Sequence, residues 1–372
     1  MTAIVPGGEK RERMEFGLFS NGERGNRLAA DTYDEDLLEV ITADKLGFKE
    51  AWISEHPSLP RRPDVVACAD IFIAKASAMT KQIRFGPAVR PIAIYHPVQV
   101  ALDAAMIDQL TRGRYMFGFG VGDPAADGML QRGIGPRDMN LMRERMNEAL
   151  DLIMKCWTTD QPFDYEGAFW QGKGIQLLPK PYQKPYPPIA VAASATMGTA
   201  ELAGRHGFWP IFSQFDQAEH IRGLAEAFVA GAEAGGRKAS RSDIRTCRTV
   251  WVSDTTKKAK EELRASITPY VEGQKRGLQR RFAAAGEEVE VTWDYLVDSG
   301  YYFVGGPDRV AELIKNHYEA SGGFGTLLLI MGKDYGTMQQ RARSMRLFMR
   351  EVAPRLRRLD PDRKPRQADA AG

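Results

Sequence analysis

The chain has 372 residues, of which 43% are hydrophobic and 27% charged, with a net charge of +3; this is the profile of a soluble globular protein with a large core. Its 51 basic and 48 acidic residues are interspersed, which speaks against a nucleic-acid partner. Cys68, Cys156 and Cys247 stand far apart in apolar runs with no C-x-x-C spacing, giving neither a disulfide framework nor a zinc site and favouring a reducing compartment. The N-terminal MTAIVPGGEKRER has no apolar signal core. No later run approaches the ~20 apolar residues that span a bilayer. The expected location is the cytoplasm.

In chain order, a short apolar run, MEFGLF (14–19), precedes the helix-period segment DEDLLEVITADKLGF, where Leu37 and Ile41 share a face and Gly47 supplies the stop. EAWISE (50–55) leads to the helical VVACADIFIAKASAM, QIRFGPAV (82–89) to the helical PVQVALDAAMIDQL, and RYMFGFG (114–120) to a helix around 137–157. PIAVAAS (188–194) is followed by the helical TAELAGRHG, and WPIFS (209–213) by a helix around 217–234. TCRTVWVS (246–253) and GTLLLIM (325–331) are the last two apolar runs, each with a helix-like segment behind it.

Strands apolar along their length, alternating with amphipathic helices, predict a parallel sheet covered on its outside. The units close naturally into a (β/α)8 TIM barrel with insertions; an open doubly wound sheet is the alternative, and the pattern separates the two only weakly. The predicted domain is 14–352, preceded by a flexible segment, 1–13, and followed by a basic solvated tail, 353–372. Two stretches break the rhythm. Residues 160–188, rich in aromatics and prolines, read as a surface excursion, and residues 270–304 read as locally structured, either a lid over the barrel mouth or a decoration.

In such a barrel, ligands bind where the strands end. The predicted ends are Ser20-Asn21, Glu55-His56, Ala88-Val89-Arg90, Gly118 to Gly122, and Ser194. GFGVGD is not a dinucleotide fingerprint, because Asp123 replaces the spacing of G-x-G-x-x-G and the turn belongs to the fourth unit. Its glycines either let a flat ring or a phosphate approach the backbone or mark only a tight strand exit. Ser194, Ala195 and Thr196 open a helix, where hydroxyls and N–H groups suit an anion and serve equally well as caps. His96 with Pro97 reads as a helix start, and His206, His220 and His317 as helical residues facing solvent or packing locally. Phe19, Phe119, Trp209 and Phe212 lie near strand ends and are expected to offer apolar walls. No Asp, Glu and His set has metal-ligand spacing.

EAWISEHP, IRFGPAVRPIAIYHPVQVALDAAMIDQLTRGRYMFGFGVG, PPIAVAASATMGTAELAGRHG and YFVGGPDRVAELI, taken in this order, resemble the bacterial luciferase-like flavin-dependent monooxygenases. The resemblance implies a (β/α)8 barrel that takes reduced FMN (FMNH2) from a separate flavin reductase. There the flavin reacts with O2 to a C4a-peroxide that oxygenates a hydrophobic small molecule. It further implies a homodimer. His56 matches a catalytic histidine of the family, with Pro57 in place of a second histidine. Ala88-Val89 matches a cis peptide that supports the flavin, and Gly120, Val121, Gly122, Ser194, Ala195 and Thr196 match flavin-binding positions. Some relatives carry an Arg and a Glu where this chain has Val121 and Ala193. Two alternatives stay open: hydride transfer with the deazaflavin F420 on the same barrel, and a non-catalytic flavin-binding subunit. A peroxyflavin must be shielded from water while a placed group controls its proton, which is the expected role of His56, held extended by Pro57.

Overall fold

The computed structural model describes residues 14–20, 28–56, 66–122, 138–194, 196–284, 286–331 and 335–362. Asn21, Pro57, Asp123 and Ala195, each part of an expected strand end or its flank, lie outside these residues, as do the segment 1–13 and the tail from 363 onward.

The parallel staves run in chain order: β1 (Glu15–Ser20), β2 (Glu50–Ile53), β3 (Arg84–Pro87) with β4 (Arg90–Pro91), β5 (Phe117–Gly120), β8 (Ile189–Ala192), β9 (Trp209–Phe212), β10 (Arg245–Val252) and β12 (Thr326–Ile330). Each pairs in parallel with the next, and β12 pairs with β1, so that Glu15 to Leu18 lie opposite Thr326 to Leu329. Between β3 and β5 the ring is closed by a bridge of Phe85 with Tyr115, where Phe85 N–H donates to Arg114 O (2.8 Å) and Met116 N–H to Phe85 O (2.7 Å). That closure decides against the open sheet. All the expected strands form, and β3/β4 is one stave broken at a cis peptide between Ala88 and Val89.

The helices cover this ring as their periods require: α1 (Ala29–Leu46), α2 (Ala69–Ala78), α3 (Pro97–Thr111), α4 (Met139–Thr158), α5 (Met197–His206), α6 (Ala218–Ala234), α7 (Thr256–Ala284), α8 (Trp293–Asp298), α9 (Pro307–Ala320), and α10 (Met338–Leu347), which runs through a π-turn into α11 (Ala353–Leu356). Gly47 ends α1 at φ 86°, a left-handed C-cap that glycine adopts without strain. Pro97 occupies the first turn of α3, as expected of the His96-Pro97 pair. The lower end of the barrel is plugged by Glu50, whose Oε1 accepts from Arg245 (2.8 Å) and Arg84 (2.7 Å) and whose Oε2 accepts from the Trp52 indole (2.8 Å). Among the described residues, no helix is long and apolar enough to cross a membrane.

The stretches outside the rhythm hold more structure than their composition announces. Within 160–188, β6 (Phe163–Glu166) and β7 (Gln171–Ile175) form an antiparallel hairpin. Its turn is anchored by Glu148 of α4, which accepts from the N–H groups of Ala168, Phe169 and Trp170 at 2.9 to 3.1 Å. Within 270–304, the basic segment continues α7 past Pro269, followed by α8 and then by β11 (Phe303–Gly305), which extends the sheet beside the end of β10. Ala259, Leu263, Ile267, Val271, Leu278 and Phe282 form one buried stripe along α7, the four- and seven-residue spacing that keeps a helix on a surface. The stretch expected as a solvated tail is packed up to residue 362: Ala353 and Leu356 are buried, and Asp362 accepts from Ser240 Oγ (2.5 Å) and Arg241 N–H (2.7 Å).

Candidate functional site

A cavity of about 660 Å³ opens at the carboxyl ends of β2, β3/β4, β5 and β8, beneath α4 and the start of α5. The topology brings together residues far apart in sequence: His56, Ala88, Val89, Gly120, Val121, Gly122 and Thr196 all border it. Ser194 does not. Its Oγ accepts from Ser213 N–H at 2.5 Å, and its carbonyl lies 3.2 Å from His220 Nε2, so it ties β8 to the end of β9.

The glycine turn has a structural purpose that its spacing alone left undecided. Residues alternate across a strand, and the rings of Phe117 and Phe119 point outward, against Trp157 and Phe208. Gly118 and Gly120 therefore face the barrel interior, close against the neighbouring stave. A Cβ on Gly118 would stand 1.9 Å from Pro87 O, one on Gly120 2.5 Å from Val89 Cγ2, and one on Gly122, at φ +88°, 2.7 Å from Pro91 Cβ. The glycines admit the stave that carries the cis bond. They leave short residues on the cavity wall as a consequence.

The apolar side of the cavity is made by Ile94, Met139, Met146, Val191 and Leu202. Phe19, Phe119, Trp209 and Phe212, expected as its walls, do not border it. Phe119 and Phe212 are fully buried in the core, and Trp209 lies at the amino end of β9 with the Arg245 guanidinium 3.7 Å over its ring. Aromatic residues near a strand end face the mouth only when the alternation turns them inward, which the local sequence does not settle.

At the other side, α5 presents its N-terminus. Thr196 caps it, accepting from Thr199 N–H at 3.3 Å, and its hydroxyl lies 3.0 Å from that of Thr199. Arg143 of α4 borders the same cavity, with one Nη donating to Asn140 at 3.2 Å. Two hydroxyls, a helix N-terminus and a guanidinium make a seat for an anion. The sequence reading found Thr196 and missed Arg143, because nothing in the α4 period tells which turn overhangs the mouth.

Directly behind the wall lies a buried charged cluster. The Glu55 side chain is 0% exposed; its Oε2 accepts from Ala69 N–H (2.9 Å) and from Arg90 Nη1 (3.2 Å), while Oε1 has no hydrogen-bond partner. Arg90 also reaches Cys68 Sγ (3.1 Å), Asp70 (3.5 Å) and Asp103 (3.3 Å), and its guanidinium sits 4.4 Å over the Tyr95 ring. Tyr115 donates to Asp70 at 2.8 Å. Burial pushes the Glu55 carboxyl up to about 6, against the opposing pull of Arg90, and burial likewise raises Asp70.

Residues 14–323 match the family described as luciferase-like monooxygenase. The 4-hydroxyprotoasukamycin monooxygenase of Streptomyces nodosus subsp. asukaensis is 30% identical over 92% of this chain and 92% of its own. Limonene 1,2-monooxygenase of Rhodococcus erythropolis is 29% identical, over 92% of this chain and 86% of its own. Among solved structures, the oxygenating constituent of 3,6-diketocamphane monooxygenase from Pseudomonas putida, a type II Baeyer–Villiger monooxygenase in complex with FMN, superimposes with a TM-score of 0.83 at 29% identity, covering 92% of this chain and 98% of that one. With the closed barrel, the cavity at its strand ends and a match along most of the sequence, the chain belongs to the luciferase-like monooxygenase family.

Proposed function

We propose that the chain is a flavin-dependent monooxygenase that uses reduced FMN and O2 to oxygenate a hydrophobic small molecule, with the reduced flavin supplied by a separate reductase. The observation that carries this reading is one cavity bordered both by groups that suit an anion and by apolar side chains. Thr196, Thr199, the α5 N-terminus and Arg143 suit the phosphate of FMN. Ala88, Val89, Gly120 and Gly122 leave a wall of short residues along which a flat ring can lie. Limonene and the camphane diketones, named for the relatives, are small and apolar, and Ile94, Met146 and Leu202 suit a substrate of that kind.

Bound reduced FMN supplies the electrons that activate O2. The chain's own residues supply the surroundings. The apolar wall would exclude water, Arg143 would pair with the cofactor's phosphate, and His56, at the cavity border, would hold or move a proton. Ile71 on α2 and Met106 and Leu110 on α3 are 73%, 56% and 55% exposed; this apolar face suits a second copy of the chain in a homodimer.

The test is oxygen incorporation by the purified chain with FMN, NADH, a flavin reductase and a panel of terpenes and cyclic ketones, read as a mass gain of one oxygen atom. Oxygen uptake that yields only hydrogen peroxide with every compound, or turnover with reduced F420 alone, overturns the proposal. Sizing chromatography checks the dimer.

A further inference from the structure

The buried cluster behind the cavity wall is not required by the barrel. Glu55 precedes His56 at the end of β2, and Arg90 follows the cis Ala88–Val89 bond by one residue. Their contact, at 3.2 Å, is therefore a direct side-chain tie between the stave end bearing His56 and the stave bearing the short-residue wall. Ala69 N–H, on the same Glu55 oxygen, adds the start of α2. Glu55 borders the cavity beside His56, while its carboxylate is fully buried and turned to Arg90 and Ala69.

We propose that Glu55 is a positioning residue of this site, which through Arg90 holds His56 and the Ala88–Val89 wall at a fixed separation. A charge-assisted hydrogen bond holds geometry better than a neutral one. An apolar pair of the same volume would serve stability as well or better, so a buried ion pair that joins these two stave ends calls for another purpose. Because burial places the Glu55 titration near pH 6, the hydrogen bond to Arg90 loses its charge on the carboxylate side as pH falls through that value. The groups facing it are Arg90 from β4, Asp70 from α2, Cys68 before α2, Asp103 from α3, Tyr95 before α3 and Tyr115 before β5. The Tyr95 hydroxyl also faces the carboxylate and helps to offset its desolvation.

Glu55→Gln tests the idea. The amide oxygen can keep both contacts made by Oε2, and only the charge is lost. Two readouts are taken on the whole chain. The first, amide exchange of segments 50–56 and 84–92, needs no ligand: at about pH 7 the variant is expected to exchange about five- to tenfold faster than wild type there, with a gap no smaller near pH 5. The second rests on the flavin reading of the cavity: riboflavin, which has no titrating phosphate, is expected to bind wild type and His56→Ala with an affinity that falls as pH drops through about 6, and to bind Glu55→Gln weakly at every pH. Exchange in the variant equal to wild type at both pH values overturns the positioning role whether or not a flavin binds. A riboflavin profile unchanged by Glu55→Gln overturns it as well. Failure of riboflavin and FMN to bind wild type at any pH, with the exchange difference present, sinks the flavin reading and leaves the positioning role standing. Should Glu55→Gln fail to fold, Glu55→Asp retains the charge on a shorter arm, and the same exchange comparison decides: local protection lost in these segments alone supports the tie, and unchanged protection removes it.

Discussion

Two sides of the same barrel mouth behave in opposite ways. Around β10 and β12 the mouth is filled. Trp251 is fully buried, with its indole N–H donating to Glu262 at 3.1 Å, Ser253 donates to the same carboxylate at 3.1 Å, Arg343 completes it, and Ser344 Oγ accepts from Val252 N–H at 2.8 Å. Around β2 to β8 the stave ends are Ala88, Val89, Gly120, Gly122 and Ala192, and a cavity remains. The packed side draws its polar groups into one shared network around Glu262. The open side instead keeps a charged cluster, Glu55 with Arg90, Asp70 and Asp103, beneath the wall, a pattern found where structure is held for chemistry.

Substitutions can break this contrast or sharpen it. Trp251→Ala, on the filled side, is expected to cost about 3–5 kcal/mol in urea unfolding while leaving FMN affinity as it was; a large loss of affinity would mean that the two sides are not independent. Arg90→Ala removes the cation from among Glu55, Asp70 and Asp103 and is expected to cost a similar amount, about 3–5 kcal/mol, together with flavin affinity. Arg143→Ala should weaken FMN binding by about 1.5–3 kcal/mol, at least tenfold, with riboflavin affinity unchanged and stability altered by no more than about 0.5 kcal/mol. Equal losses for both flavins would remove Arg143 from the phosphate seat.

The pH dependence of stability sharpens the comparison further. The folded Glu55 carboxyl titrates near 6, above its ordinary 4.5, so the folded chain binds that proton more tightly than the unfolded one. Its contribution is favourable at low pH and is lost as pH rises through about 6. The unfolding free energy of wild type relative to Glu55→Gln is expected to fall by about 2 kcal/mol between about pH 4 and about pH 7; a flat difference would mean that the carboxyl is not desolvated. The smallest effect is that of Thr196→Ala, which removes the cap of α5 at a cost of about 1 kcal/mol and, with Thr199 still in place, only part of the FMN affinity.

Much of this protein was legible in one dimension. Stave positions follow from apolar runs, helices from their period and their ends from Gly47 and Pro97, because those signals are carried by neighbours within a turn or two of the chain. The resemblance pointed to the cis bond at Ala88–Val89 and to His56 at the mouth, and both lie there. The hairpin within 160–188 was not legible, since its anchor, Glu148, sits on another element. Nor was the packing of 353–362, held by Ser240 and Arg241 from far upstream.

By itself, then, the sequence determined the number and order of the staves and the residue types available at their ends. Tertiary structure alone decided that Phe119 turns away from the cavity while Gly120 faces it, that Arg143 rather than Ser194 borders it, and that Glu55 finds Arg90 behind the wall. The reason is physical: periodicity records which face of an element is buried, whereas a partner across the barrel is set by register and closure, which no local pattern encodes.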